Sequence, residues 1–379
     1  MKILIAPDKF KGSLSAQEVC DAVENGIKKF DTSIETIKHP LADGGEGTLE
    51  ILQNYFELKR RTVKVKNPLF NTIVSSYMVS KEIAYIEMSN ASGLQLLEKH
   101  EQNCCYTSTF GTGELIADAI KEGFKNIVLF IGGSATNDAG IGMASALGFE
   151  FFNSKNELIK PIGLELINIQ KISTKNLLFN LKEINFTVVC DVKNPLYGEN
   201  GAAHIYGQQK GASEKEIELL DLGLKNFSNK VNEYFSVDTS IIDGGGAAGG
   251  LGAGSVVFLN ATIQSGIDFV FEQTNFNSLL SSKIDLIITG EGSVDKQTLE
   301  GKVVKGISIK AHNSNIPFYI IAGVVKDKEV INKGLDPLEI ISIMDLNISV
   351  EDAMNNAAKH VKVITFNLLK RLKNILTLQ

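Results

Sequence analysis

Short, continuously apolar runs recur along this chain, and stretches with helical spacing separate them. That alternation is the pattern of an α/β fold. The candidate strands are residues 3–6, 84–88, 127–131, 186–190, 286–289 and 318–322. Several are apolar at every position rather than at alternate ones, as strands are when helices cover both faces of a sheet. After the first run, Ser15 and Glu18 form a capping-box pair. The helix they open carries Val19, Ala22, Val23, Ile27 and Phe30 at helical spacing. The ends of the runs matter most for function. Leu4-Ile5-Ala6 leads into Pro7-Asp8-Lys9, Leu129-Phe130-Ile131 into Gly132-Gly133-Ser134, Val188-Val189-Cys190 into Asp191, and Ile287-Ile288-Thr289 into Gly290-Glu291-Gly292. Ligands of open α/β sheets bind beyond the carboxyl ends of the strands, so a site is expected to be assembled from these loops.

At 379 residues the chain has room for about two domains, joined by short connections because no long linker interrupts it. Hydrophobic residues at 44% and charged residues at 22% fit a globular protein with a real core. A net charge of -6 without any Lys/Arg block argues against nucleic acid or an anionic membrane as partner. No apolar run approaches the roughly 18 residues of a spanning helix, and no leader pattern precedes the first strand. Cys20, Cys104, Cys105 and Cys190 form no C-x-x-C pair and read as free thiols of a reducing, cytoplasmic protein.

Five loops carry the chemistry. Asp43-Gly44-Gly45-Glu46-Gly47-Thr48 sets two carboxylates on a bare loop, either as Mg²⁺ ligands or as an acidic helix start. Gly132-Gly133-Ser134-Ala135-Thr136-Asn137-Asp138 lies between a strand and a helix expected over 139–147. Backbone N–H groups and two hydroxyls there suit an anion; a capped glycine turn is the plainer reading. Gly111-Thr112-Gly113-Glu114 opens a helix as a capping turn or a ligand loop. The run from Asp243 to Gly252 contains G-x-G-x-x-G, but no buried strand precedes it, so close backbone approach to a ligand or a neighbouring element replaces a dinucleotide reading. Gly290–Thr298 again places carboxylates beyond a strand end, within reach of general-base work or simply solvated. The five histidines have no metal-ligand spacing, and neither a Walker loop nor the protein-kinase motifs occur.

Ala6-Pro7-Asp8 with Phe10-Lys11-Gly12-Ser13-Leu14, the segments 42–48, 107–115 and 132–138, Cys190-Asp191-Val192 with Asn194-Pro195-Leu196, Gly201-Ala202-Ala203, Gln209-Lys210-Gly211-Ala212, 247–252, Gly266-Ile267-Asp268 and 288–292 with Gln297-Thr298 follow one another in order. In that order and spacing they resemble the type-1 glycerate kinases. Three positions depart from the family: Ala139 where glycine is usual, Asp243-Gly244 where proline-glycine is common, and Ser293 where arginine is typical.

The resemblance implies ATP-dependent phosphorylation of glycerate with Mg²⁺, giving 2-phosphoglycerate or 3-phosphoglycerate. It implies an α/β fold of two domains. Residues 1–65 and 280–379 would form a discontinuous flavodoxin-like domain, and 66–279 an inserted α/β domain resembling a restriction-endonuclease fold. Under that reading Lys9, Lys11 and Ser13 contact phosphate, and Asp43, Glu46 and Glu291 hold Mg²⁺. Asp191 or Asp295 is the base, while Gly132, Gly133, Ser134, Thr136, Asn137 and Gly292 bind a phosphate or the substrate carboxylate. The partners are then small molecules, with a homo-oligomer left open. A kinase of another small hydroxy acid, a nicotinamide-dependent oxidoreductase and a non-catalytic binding protein are the alternatives.

Overall fold

The computed structural model describes residues 1–45 and 47–376. The chain divides into two compact units, Met1–Tyr55 with the chain from Ser265 onward, and Phe56–Gln264. These divisions lie before the expected boundaries at 65/66 and 279/280, for a local reason. Strand Lys59–Lys66 pairs along its whole length with Thr72–Val79, while helix Gly266–Gln273 packs with Val303–Asn313.

The first unit is built on a five-stranded parallel sheet. Its order is Glu339–Ser342, Phe318–Val325, Leu286–Val294, Lys2–Ile5, Glu35–Lys38. Counted within the unit this is the doubly wound order 2-1-3-4-5, whose winding reverses between Lys2–Ile5 and Leu286–Val294. Ile3, Ile5, Ile288, Tyr319 and Ile321 share a core with Val19, Val23 and Ile27 of helix Ala16–Phe30 and Val361, Ile364 and Leu368 of helix Ala357–Leu376. Each such buried side chain contributes roughly 1.5–3 kcal/mol. The intervening Leu4, Ile287 and Ile320 are equally buried, so both faces are covered, as their unbroken apolar runs predict. Gly26 lets the two helices close up, because a Cβ there would lie 2.6 Å from Thr365 Cβ. The capping box forms: Glu18 N donates to Ser15 Oγ at 3.2 Å and Ser15 N to Glu18 Oε2 at 2.8 Å.

One strand end differs from expectation. Leu286–Val294 does not stop at Thr289 but runs through Gly290-Glu291-Gly292, paired with Phe318–Val325. Gly290 is there for close strand approach, since a Cβ would overlap the Ile321 carbonyl oxygen.

The second unit holds a six-stranded sheet in the order Thr262–Gln264, Asn185–Val189, Asn126–Phe130, Ile83–Glu87, Thr72–Val79, Lys59–Lys66. The first four are parallel, and the last two join as an antiparallel hairpin. Ile86, Leu115, Ile116, Ile127, Leu129 and Val188 belong to its core, and a second cluster gathers Phe149, Phe151, Leu220, Leu224, Phe227 and Phe258. Among the described residues no helix is long and apolar enough to cross a membrane.

Candidate active site

In the first unit acidic groups lie toward the carboxyl ends of the two strands between which the winding reverses, Asp8 just after Lys2–Ile5 and Glu291 within the second half of Leu286–Val294. Asp8 N donates to Gly290 O at 2.9 Å, which holds the loop after Lys2–Ile5 against the neighbouring strand. The Asp8 side chain is 8% exposed, and one of its oxygens accepts from Lys9 N at 2.6 Å. Burial, reinforced by the charges of Asp43 and Glu291, pushes its carboxyl up to about 7. Glu291 is buried too and accepts a hydrogen bond from Thr298 Oγ1. Burial raises it to about 7 despite that bond and the Lys302 charge, with Asp43 adding to the rise. Asp43 Oδ1 accepts from Gly45 N at 3.0 Å, and its carbonyl packs so tightly on Gly266 that no Cβ fits there.

Three carboxylates therefore share one electrostatic neighbourhood. Asp8, which the sequence offered only as part of a motif, is one of them; Glu46 lies outside the described residues. Among the described residues no three His, Cys, Asp or Glu side chains stand arranged to hold a metal ion. The chemistry of the donors nonetheless fits Mg²⁺, a hard cation that takes one or two carboxylates and keeps several waters.

Beside this group Lys9, Lys11 and Ser13 line an open depression of about 430 Å³ with Gly47 and Glu50. Gly47 has φ +89°, and a Cβ there would lie 3.3 Å from Lys9 Nζ. Gly292 packs its Cα side against the same loop, where a Cβ would stand 3.0 Å from Lys11 N. Ser13 donates its hydroxyl proton to Met354 O at 2.7 Å, so toward a ligand its oxygen offers lone pairs. Asp295 caps a short turn: Gln297 N donates to it at 3.0 Å, and Ser293 Oγ, at the position where arginine is typical, reaches it at 3.4 Å.

In the second unit the loop after Asn126–Phe130 is enclosed from several sides. Its helix starts at Ile141, later than expected, and the N–H groups at that start are not open to a ligand. The fully buried Asp138 takes them. Its Oδ1 accepts from Gly140 N at 3.2 Å. Its Oδ2 accepts from Gly142 N at 3.2 Å and from Thr109 N and Oγ1, both at 2.8 Å. Burial raises the Asp138 carboxyl and these bonds oppose the rise. The donors left for an anion are those of the turn itself, where Gly132 and Gly133 are exposed.

Lys210 braces that turn, its Nζ donating to Ser134 Oγ at 2.7 Å and to Thr136 O at 2.8 Å. Thr136 Oγ1 and both polar atoms of the Asn137 amide are buried without a hydrogen-bond partner, which is costly unless a ligand or water meets them. The glycine run serves this loop. Ala248, Gly249 and Gly250 take φ 53°, 70° and 90°, and a Cβ on Gly249 would overlap Thr136 O. Ala139, the departure from glycine, holds φ 50° and donates its N–H to Gly249 O at 3.0 Å.

Asp191, exposed, follows the end of Asn185–Val189 in this unit, whereas Asp295 belongs to the first. Lys210 and Asp138 entered the sequence reading only inside longer motifs. The signals that could have marked them were the glycines flanking Lys210 and the Asx position directly before a helix.

A family model described as the glycerate kinase family matches residues 3–373. The glycerate kinase of Halalkalibacterium halodurans is 39% identical over 374 residues, covering 96% of this chain and 98% of that protein. The glycerate 2-kinase of Escherichia coli K12 is 38% identical over 380 residues, covering 99% of this chain and 100% of its own. A crystal structure from Salmonella typhimurium LT2, provisionally named glycerate kinase 2, superposes with a TM-score of 0.85 at 38% identity, covering 100% of this chain and 99% of that one. Because the likeness spans both compact units nearly end to end, the chain belongs to the glycerate kinase family.

Proposed function

We propose that this chain is an ATP-dependent glycerate kinase that transfers a phosphoryl group to a hydroxyl of D-glycerate and releases ADP. The observation that carries the reading is the pairing of two buried carboxylates, Asp8 and Glu291, and the half-buried Asp43 with the Lys9–Ser13 depression at the winding reversal of a parallel sheet. Phosphoryl transfer needs positioning and charge neutralisation more than covalent chemistry, and this group is suited to both. The strand order supports a flavodoxin-like first unit, and the inserted unit is proposed to resemble a restriction-endonuclease fold. The name of the Escherichia coli relative favours 2-phosphoglycerate over 3-phosphoglycerate as product.

Asp43 and Glu291, with Asp8 beside those two, and Glu46 would hold Mg²⁺, which when bound offsets phosphate charge. Lys9 and Lys11 place cations on the phosphates, with Gly292 letting their loop lie close to the strand. Gly132, Gly133, Ser134, Thr136 and Asn137 hold a carboxylate or phosphate. Asp191 or Asp295 accepts the hydroxyl proton. A base at either position predicts a loss of about 10²–10⁴-fold in kcat for the Asn variant. Near-normal turnover in both Asp191→Asn and Asp295→Asn would remove the two from the mechanism. A coupled ADP-release assay across glycerate, tartronate and lactate tests the reading, and ³¹P NMR of the product fixes the hydroxyl. Release with another acid alone would make it a kinase of that acid; no release with any acid would refute the kinase assignment.

A further inference from the structure

Lys210 lies between helices Ala202–Tyr206 and Glu214–Phe235 and is only 4% exposed. Its backbone is fixed: Lys210 N donates to Gly207 O and Cys104 N donates to Lys210 O, each at 3.0 Å. Gly211, at φ +88°, closes the turn where a Cβ would overlap Gln102 O. The side chain then reaches Ser134 Oγ at 2.7 Å and Thr136 O at 2.8 Å. A buried ammonium resting on two neutral oxygens is costly, and a purely apolar core would not select it. The ionisable groups that face it are Asp138, whose oxygens are already met by four donors, and Cys104, whose thiol burial pushes up to about 11.

An ammonium has donors and no acceptor. Ser134 Oγ must therefore accept from Lys210, which leaves the Ser134 proton to be donated elsewhere. Thr136 O is tied by the same group, so the turn is held with the exposed Gly132 and Gly133 at its tip. We infer that Lys210 is a positioning residue whose ammonium pins the 132–136 turn and commits the Ser134 hydroxyl to donate to an anionic group of the substrate, a carboxylate or a phosphate. This rests on the reading of that turn as an anion site. Burial pulls the Lys210 ammonium down to about 8. Above that pH the free amine gains a lone pair that competes for the Ser134 proton.

The test is a double-mutant cycle on the whole enzyme, with KM for the acid, KM for ATP and kcat measured for wild type, S134A, K210M and the pair. S134A is expected to raise one of the two KM values about tenfold, the worth of one hydrogen bond to a charged group. K210M should raise the same KM by a similar factor, and the pair should add less than about twofold to the larger single effect, because both changes remove one donor. Additive effects, or K210M lowering kcat and raising both KM values alike, would overturn the positioning role while leaving the anion site standing. No KM change in S134A would sink the anion site itself, and the proposal with it. Should K210M not fold, the wild-type pH profile decides. The affected KM should climb between pH 8 and about 9.5 in wild type but stay flat in S134A, and a profile shared by both proteins refutes the assignment.

Discussion

Replacing Asp8 with Asn should make the metal-free protein more stable at pH 8 while abolishing its activity. Asp8 is held at about 7 in the fold against an ordinary 3.8. Between those values the native state keeps a proton that the unfolded chain has lost, so stability falls as pH rises and is fully present only below the lower value. The gap, at about 1.36 kcal/mol per pH unit, corresponds to about 4 kcal/mol once the group is ionised in both states. Asn removes that cost and keeps the oxygen that accepts from Lys9 N. The gain in D8N should therefore be about 2–4 kcal/mol at pH 8, allowing for relaxation around the charge, and less than half as large at pH 5. Urea melts in EDTA at the two pH values read the stability, and ADP release reads the activity. Millimolar Mg²⁺ should narrow the difference, because a nearby cation favours the ionised wild-type carboxylate. A D8N protein no more stable than wild type at pH 8, or equally stabilised at pH 5, would refute the reasoning.

Gly249→Ala should destabilise the protein by about 2–4 kcal/mol, since the residue sits at φ +70° and the new methyl would overlap Thr136 O. A thermal melt within about 0.5 kcal/mol of wild type would show that the run does not clamp the loop. His39 predicts the opposite pH slope to Asp8. Thr274 Oγ1 donates to Val270 O, so His39 Nε2 carries the proton and donates to Thr274 at 2.9 Å. Burial holds the ring down to about 4 from 6.5. Stability is then complete above 6.5 and lost as pH falls toward 4, by about 3 kcal/mol, and His39→Gln should flatten that part of a pH–stability curve.

Much of the frame was legible locally. The Ser15–Glu18 pair caps its helix because capping is set by residues three apart, and the unbroken apolar runs at 3–6 and 286–289 are strands buried on both faces. The polar strand Lys59–Lys66 escaped notice because, largely exposed at the edge of its sheet, it needs little apolar content. Glycine misled in one place. Gly290 looks like a turn in sequence, yet its missing side chain serves close strand pairing, and a single residue type cannot signal which use applies.

The sequence alone determined the α/β class, the loops that carry the chemistry and the kind of groups on them, because periodicity, caps and residue type are properties of neighbouring positions. Tertiary structure alone decided which of those groups is altered by its surroundings. Asp8 and Glu291 are raised by burial beside Asp43, the donors at the Ile141 helix start are consumed by Asp138, and Lys210 reaches the serine 76 residues before it in the chain. Desolvation and long-range hydrogen bonds depend on what the folded chain places next to a group, and no local pattern encodes that.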